Sequence, residues 1–157
     1  MFGNRGAWYR GSADDAALNA EVERYTADPA AVARFAADAD FSGRIPVPVL
    51  AVHAIHDPTA FVEMEQRFAQ TMAGAGRGDA LVQTYTDHAE HSYLSDATYV
   101  ALLDALQAWL REGRKPTPQA VAEGCAAALA RFPSDCRFRP DYQPPPLDSR
   151  VAPRERP

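Results

Sequence analysis

The sequence predicts an α/β fold class built from two parallel strand–helix units with flanking helices. Three observations carry this. Two short apolar runs, 46–55 (PVPVLAVHAI) and 80–85 (ALVQTY), read as strands,. Each is followed by a segment with apolar residues at helical spacing, 61–73 and 96–111,. The linkers between them hold the glycines and polar residues that end helices and make turns,.

Each element has its own local reason. Ser12 followed by Asp15 resembles a capping box and predicts a helix through about Tyr25,. Asp28 with Pro29 predicts a second helix start, the carboxylate as N-cap and the proline at the first helical position,. The run at 46–55 is nearly continuous in apolar residues, the habit of a strand buried on both faces. Phe61, Met64, Phe68 and Met72 mark the inner face of the next helix, which Gly74, Gly76 and Gly78 end. A polar loop, 86–95, follows the second strand. In 96–111 the expected inner stripe is Tyr99, Leu102, Leu103, Leu106, Trp109 and Leu110, stopped by Gly113,. Thr117 and Pro118 open a last, alanine-rich helix that runs past Cys125,. The organisation expected is therefore a helical lead-in over 1–40, a βαβα part over 41–115, a C-terminal helix over 116–137, and a Pro/Arg-rich tail over 138–157, extended on a surface or without order.

Composition narrows the function classes. The chain has 157 residues and a formal net charge of −5, with its basic residues scattered, so no nucleic-acid partner is expected,. No apolar run approaches the ~20 residues that cross a bilayer, so no membrane partner is expected either. The opening residues show no basic segment leading into an apolar one, and no signal peptide is read there,. The two cysteines, Cys125 and Cys136, could close a local disulfide or stay as buried thiols. The disulfide would favour a periplasmic or secreted location, which is otherwise unassigned,.

The chemistry concentrates after the two strands. In a parallel sheet functional groups gather at the carboxyl ends of strands. Asp57 follows the first and His91 lies in the loop after the second. Loops leaving neighbouring strands ~4.8 Å apart can bring a carboxylate to an imidazole. Such a carboxylate fixes the ring's tautomer and stabilises the imidazolium formed when the ring takes a proton from a nucleophile. His88 is the rival histidine, and Asp87 the rival acid. A metal site is the competing reading, since His53, His56, Asp57, His88 and His91 all lie near one sheet edge,. Strand alternation, however, sends His53 and His56 to different faces, and neither histidine pair matches H-E-x-x-H.

The stretch GRIPVPVLAVHAIHDPTAFVEMEQRFAQTM, followed by LVQTYTDHAEHSYLSDATYVALLDALQAWLREGRKPTP, resembles the last two strand–helix units of an α/β-hydrolase. The likeness covers roughly residues 43–115. It implies a partial α/β-hydrolase fold in which Asp57 is the triad acid and His91 the triad histidine. Glu90 departs from the glycine common before that histidine. The G-x-S-x-G nucleophile turn has no counterpart, since Ser12, Ser42, Ser92, Ser95, Ser134 and Ser149 all lie outside such a setting,. The expectation is a C-terminal part of a serine hydrolase, inactive alone, acting on a small-molecule ester or, second, an amide. No cofactor and no metal are expected. The partner would be the N-terminal half of the same hydrolase or a second copy of the chain. A non-catalytic binding or dimerisation module is the alternative.

Overall fold

The computed structural model describes residues 3–151. Among them the protein is mixed α/β: five α-helices and a two-stranded parallel sheet. The chain divides into two compact units, one drawn from Met1–Phe41 and Leu147–Pro157, the other Ser42–Pro146.

The first unit holds α1 (Asp15–Glu21) and α2 (Pro29–Ala39). The helix expected from Ser12 to Tyr25 is shorter than its signal, for two local reasons. Asp14 is the residue that caps α1, accepting from the Ala17 amide, while Asp15 turns back to take the amide and hydroxyl of Ser12. Beyond Glu21 the backbone turns extended at Val22, and the Arg24 guanidinium folds onto the carbonyl oxygens of Asn4, Ala7 and Asn19. Asp28 caps α2 through the Ala30 amide with Pro29 in the first turn, as expected.

The second unit contains β1 (Val49–Ala54), α3 (Met64–Gly74), β2 (Leu81–Thr86), α4 (Asp96–Glu112) and α5 (Pro118–Ala128). The strands are parallel and pair from Val49 with Leu81 to Ala54 with Thr86. Pleat alternation gives the sheet two faces. Leu50 and Val52 turn toward α4 and α5, where Ala97, Ala101, Leu102, Val121 and Cys125 form the buried core. His53 and Gln83 turn the other way and meet Glu65 of α3.

Two expected stripes shift by a residue. On α3, Met64 is exposed and the inner positions fall to Glu65 and Met72, the latter fully buried. On α4, Leu103 and Leu110 are exposed, and the tightest contacts come from Ala97 and Ala101, small residues that let α5 approach closely. Gly113 ends α4 with φ +68, a left-handed cap that costs glycine least,.

The segment after α5 is ordered as far as it is described. Cys125 and Cys136 form a disulfide, with Cα atoms 5.9 Å apart. The chain then runs antiparallel beside the end of β2: the Asp87 amide donates to the Arg137 carbonyl (2.8 Å), the Arg139 amide to that of Tyr85 (2.8 Å), and Phe138 bridges Thr86. Tyr142 stacks edge-on against Tyr85, their ring centroids 5.2 Å apart. This strap covers an otherwise open strand edge. Of the tail, residues 152–157 lie outside the described residues. Among the described residues no helix is long and apolar enough to cross a membrane.

Replacing both cysteines by alanine should lower unfolding free energy by about 3 kcal/mol, the loop-closure value for a crosslink of this span. An unchanged urea midpoint would show that the strap is held by its other contacts. Gly43, at φ +71, admits no Cβ without overlap with the Thr71 carbonyl oxygen. Gly43→Ala should therefore cost about 2 kcal/mol or more in the same assay.

Candidate active site

The parallel register sets the site. Beyond the sheet, the Ile55 amide donates to the Thr86 carbonyl (2.9 Å) and the His56 amide to that of His88 (3.1 Å). The two exit loops therefore leave side by side. Asp57 closes a tight turn, its own amide donating to Ala54. Its Oδ1 accepts the amides of Thr59 (2.7 Å) and Ala60 (2.9 Å). Its Oδ2 faces Nδ1 of His91 at 2.7 Å.

The Asp57 side chain is only 5% exposed, whereas that of His91 is 49% exposed. Burial alone would raise the Asp57 carboxyl; the amides of Ala60 and Thr59 and the His91 ring outweigh it and hold the group at about 2,. An ionised Asp57 can only accept, so His91 Nδ1 carries the shared hydrogen. A neutral ring then keeps its lone pair on Nε2, which has no protein partner among the described residues. Val52, His53, Ala54, Asp57, Ala60, His91, Leu94 and Tyr99 line a cleft of about 190 Å³ around this pair.

The other residues singled out from sequence go elsewhere. His88 is buried, with Nε2 3.2 Å from Asp135 Oδ1, and does not meet Asp57. Asp87 takes His56 Nε2 (2.8 Å) and the Arg139 guanidinium (3.1 Å) at the surface. Of the five residues weighed as metal ligands, His53, Asp57 and His91 line one cleft, while His56 and His88 pair elsewhere, with Asp87 and Asp135. Among the described residues no three His, Cys, Asp or Glu side chains converge in a way that could hold a metal ion. Ser95 caps α4 through the Thr98 amide and donates to the Asp135 carbonyl; Ser134 accepts from the Ala97 amide.

Sequence reasoning passed over Glu65. Its Oε1 lies 3.0 Å from His53 Nδ1 and its Oε2 accepts from Gln83. The signal was present: 61, 65, 68 and 72 are closer to a helical repeat than 61, 64, 68 and 72. The hydrogen bond to Glu65 raises the His53 ring above its ordinary value, with burial opposing and the Ala60 carbonyl assisting.

A carboxyl held below its unfolded value of 3.8 contributes stability that is full above that value and is lost as pH falls toward about 2,. The difference in thermal midpoint between the wild type and Asp57→Asn should thus be widest near neutrality and close across that acid window. A difference independent of pH would show that the carboxylate's charge plays no part.

Comparison of the chain with models of protein families, with curated proteins and with solved structures finds no match to any of them.

Proposed function

We propose that this chain supplies the acid and the histidine of a serine hydrolase of the α/β-hydrolase type, acting on an ester and, second, an amide. The observation that carries the reading is the 2.7 Å contact between Asp57 Oδ2 and His91 Nδ1, made from loops that leave two parallel strands at the same end. The order acid then histidine, each after its own strand, is that of the family. The nucleophilic serine and the oxyanion-hole amides come from polypeptide outside these residues, either the N-terminal half of the same hydrolase or a partner chain. β1 is an edge strand among the described residues, and a parallel edge is where further strands add,.

The chemistry follows from the tautomer. The serine Oγ attacks the ester carbonyl carbon while its proton passes to His91 Nε2. The resulting imidazolium keeps its Nδ1 hydrogen on Asp57, whose charge stabilises it. Nε2 then gives the proton to the leaving alcohol as the C–O bond breaks, which leaves an acyl-enzyme. Water repeats the sequence, releasing the acid and restoring the serine. No organic cofactor enters these steps.

A second reading has its own support. No serine Oγ among the described residues bonds to His91, and Met64, Leu103 and Leu110 stand exposed on the helices of the second unit. A non-catalytic module that binds or dimerises through such surfaces would keep the Asp57–His91 pair as a structural element.

The test begins with the coding sequence upstream of Met1 in the same frame. A strand-like run closing in G-x-S-x-G is expected there or in an adjacent gene. The product that carries both parts should be labelled by an activated phosphonate at that serine and should hydrolyse short-chain aryl esters. His91→Ala in that protein should lower kcat by ~10³-fold or more. Near-normal turnover in this variant would refute the role given to His91, and absence of any partner serine would favour the binding module.

A further inference from the structure

The cleft holds a second imidazole that the proposed reaction leaves idle. His53 projects from β1 with its side chain only 12% exposed, and both of its ring nitrogens face acceptors. Nε2 lies 3.1 Å from the Ala60 carbonyl oxygen, and Nδ1 lies 3.0 Å from Glu65 Oε1. A carbonyl oxygen has no hydrogen to give, so Nε2 must carry one. The Glu65 contact runs in the same direction. Gln83 Nε2 donates to Glu65 Oε2 (2.6 Å) and to the Glu65 carbonyl (2.8 Å), so the second carboxyl oxygen is an acceptor and Oε1 is left to face the ring. A neutral imidazole has one N–H and would turn a lone pair against one of the two acceptors. With an ionised Glu65, only the imidazolium satisfies both.

The charged ring has a second neighbour. Its Nε2 is 3.8 Å from Asp57 Oδ2, the same oxygen that faces His91. Ala60 links the two groups: its carbonyl takes the His53 ring hydrogen while its amide donates to Asp57 Oδ1. Ring and carboxylate are thus fixed to one residue of one turn.

We infer that His53 is a positioning residue, an imidazolium assembled by Glu65 and Gln83 whose charge and whose bond to Ala60 hold Asp57 ionised and aimed at His91 Nδ1. Its meaning for catalysis rests on the triad reading above; its charge state does not. The titratable groups around the ring are Glu65 from α3, Asp57 and His91 from the exit loops, Tyr99 of α4, which lines the same cleft, and Tyr85, its register partner on β2. Burial, then the nearby Glu65 charge, pushes the Tyr85 phenol up, so it stays neutral and adds no charge to the balance. The upward displacement of the His53 ring, led by its bond to Glu65, agrees with the geometry.

The experiment is imidazole ¹⁵N and carboxyl ¹³C NMR on the whole chain. At about pH 7, above the ordinary imidazole value of ~6.5, both His53 nitrogens should carry hydrogen. Glu65→Gln should leave the ring singly protonated at that pH. In His53→Gln, the Asp57 carboxyl midpoint should rise from about 2 by about one unit, the low end of what loss of an adjacent opposite charge brings. A wild-type ring with one bare nitrogen at about pH 7, or an Asp57 midpoint unmoved in folded His53→Gln, would overturn the inference. If His53→Gln does not fold, the wild-type and Glu65→Gln spectra decide. These spectra need no turnover, whereas the hydrolase reading stands or falls on serine labelling and kinetics.

Discussion

Parallel pairing of β1 with β2, from Val49 against Leu81 to Ala54 against Thr86, is the constraint on which the rest of the second unit depends. Parallel neighbours end on the same side, and the ladder continues past both strands through Ile55 and His56. Asp57 and the 87–95 loop are therefore delivered together. A slip of one residue would turn His53 toward α4 and remove it from Glu65, since side chains alternate between faces. The strand crossover through α3 also supplies Glu65, so the connection that makes the strands parallel furnishes part of the charge network beneath them.

Each of the four histidines faces a carboxylate: His53 with Glu65, His56 with Asp87, His88 with Asp135, His91 with Asp57. Burial divides their roles. The His56–Asp87 pair is 60% and 42% exposed and belongs to the class of surface pairs that contribute little,. His88 is sealed beneath the strap and fixes the loop that carries His91. The His91 pair is asymmetric, a buried carboxylate side chain under a half-exposed ring, and only this arrangement presents a free nitrogen to a cleft. The same pairing thus sits in the packed interior at one position and opens onto a cleft at another.

Much of this was legible in the sequence because it is local. Both strands, the Asp28 and Thr117 starts and the Gly113 stop follow from residues within a turn of each other. The meeting of Asp57 with His91 followed from two strands being neighbours. What was not legible is long-range or runs against hydrophobic ranking. Glu65 takes an inward position beside an apolar Met64 because His53 and Gln83 await it, a partnership no single helix reveals. On α4 the leucines at 103 and 110 outrank alanine in hydropathy, yet close packing with α5 selects Ala97 and Ala101. Asp135 and Arg137 meet the β2 exit loop beside the Cys125–Cys136 disulfide, and the irregular stretch after α5 gives no periodic sign of it.

The strap bears on the order of assembly during synthesis. Asp135 lies 47 residues after His88, the side chain it holds, and its carbonyl also receives Ser95 at the start of α4. A nascent chain therefore exposes His91 to solvent well before the groups that immobilise its loop have left the ribosome. The sheet can pair early, but the surroundings of the Asp57–His91 pair are completed by the last part of this unit to emerge, and by an oxidation step that follows it.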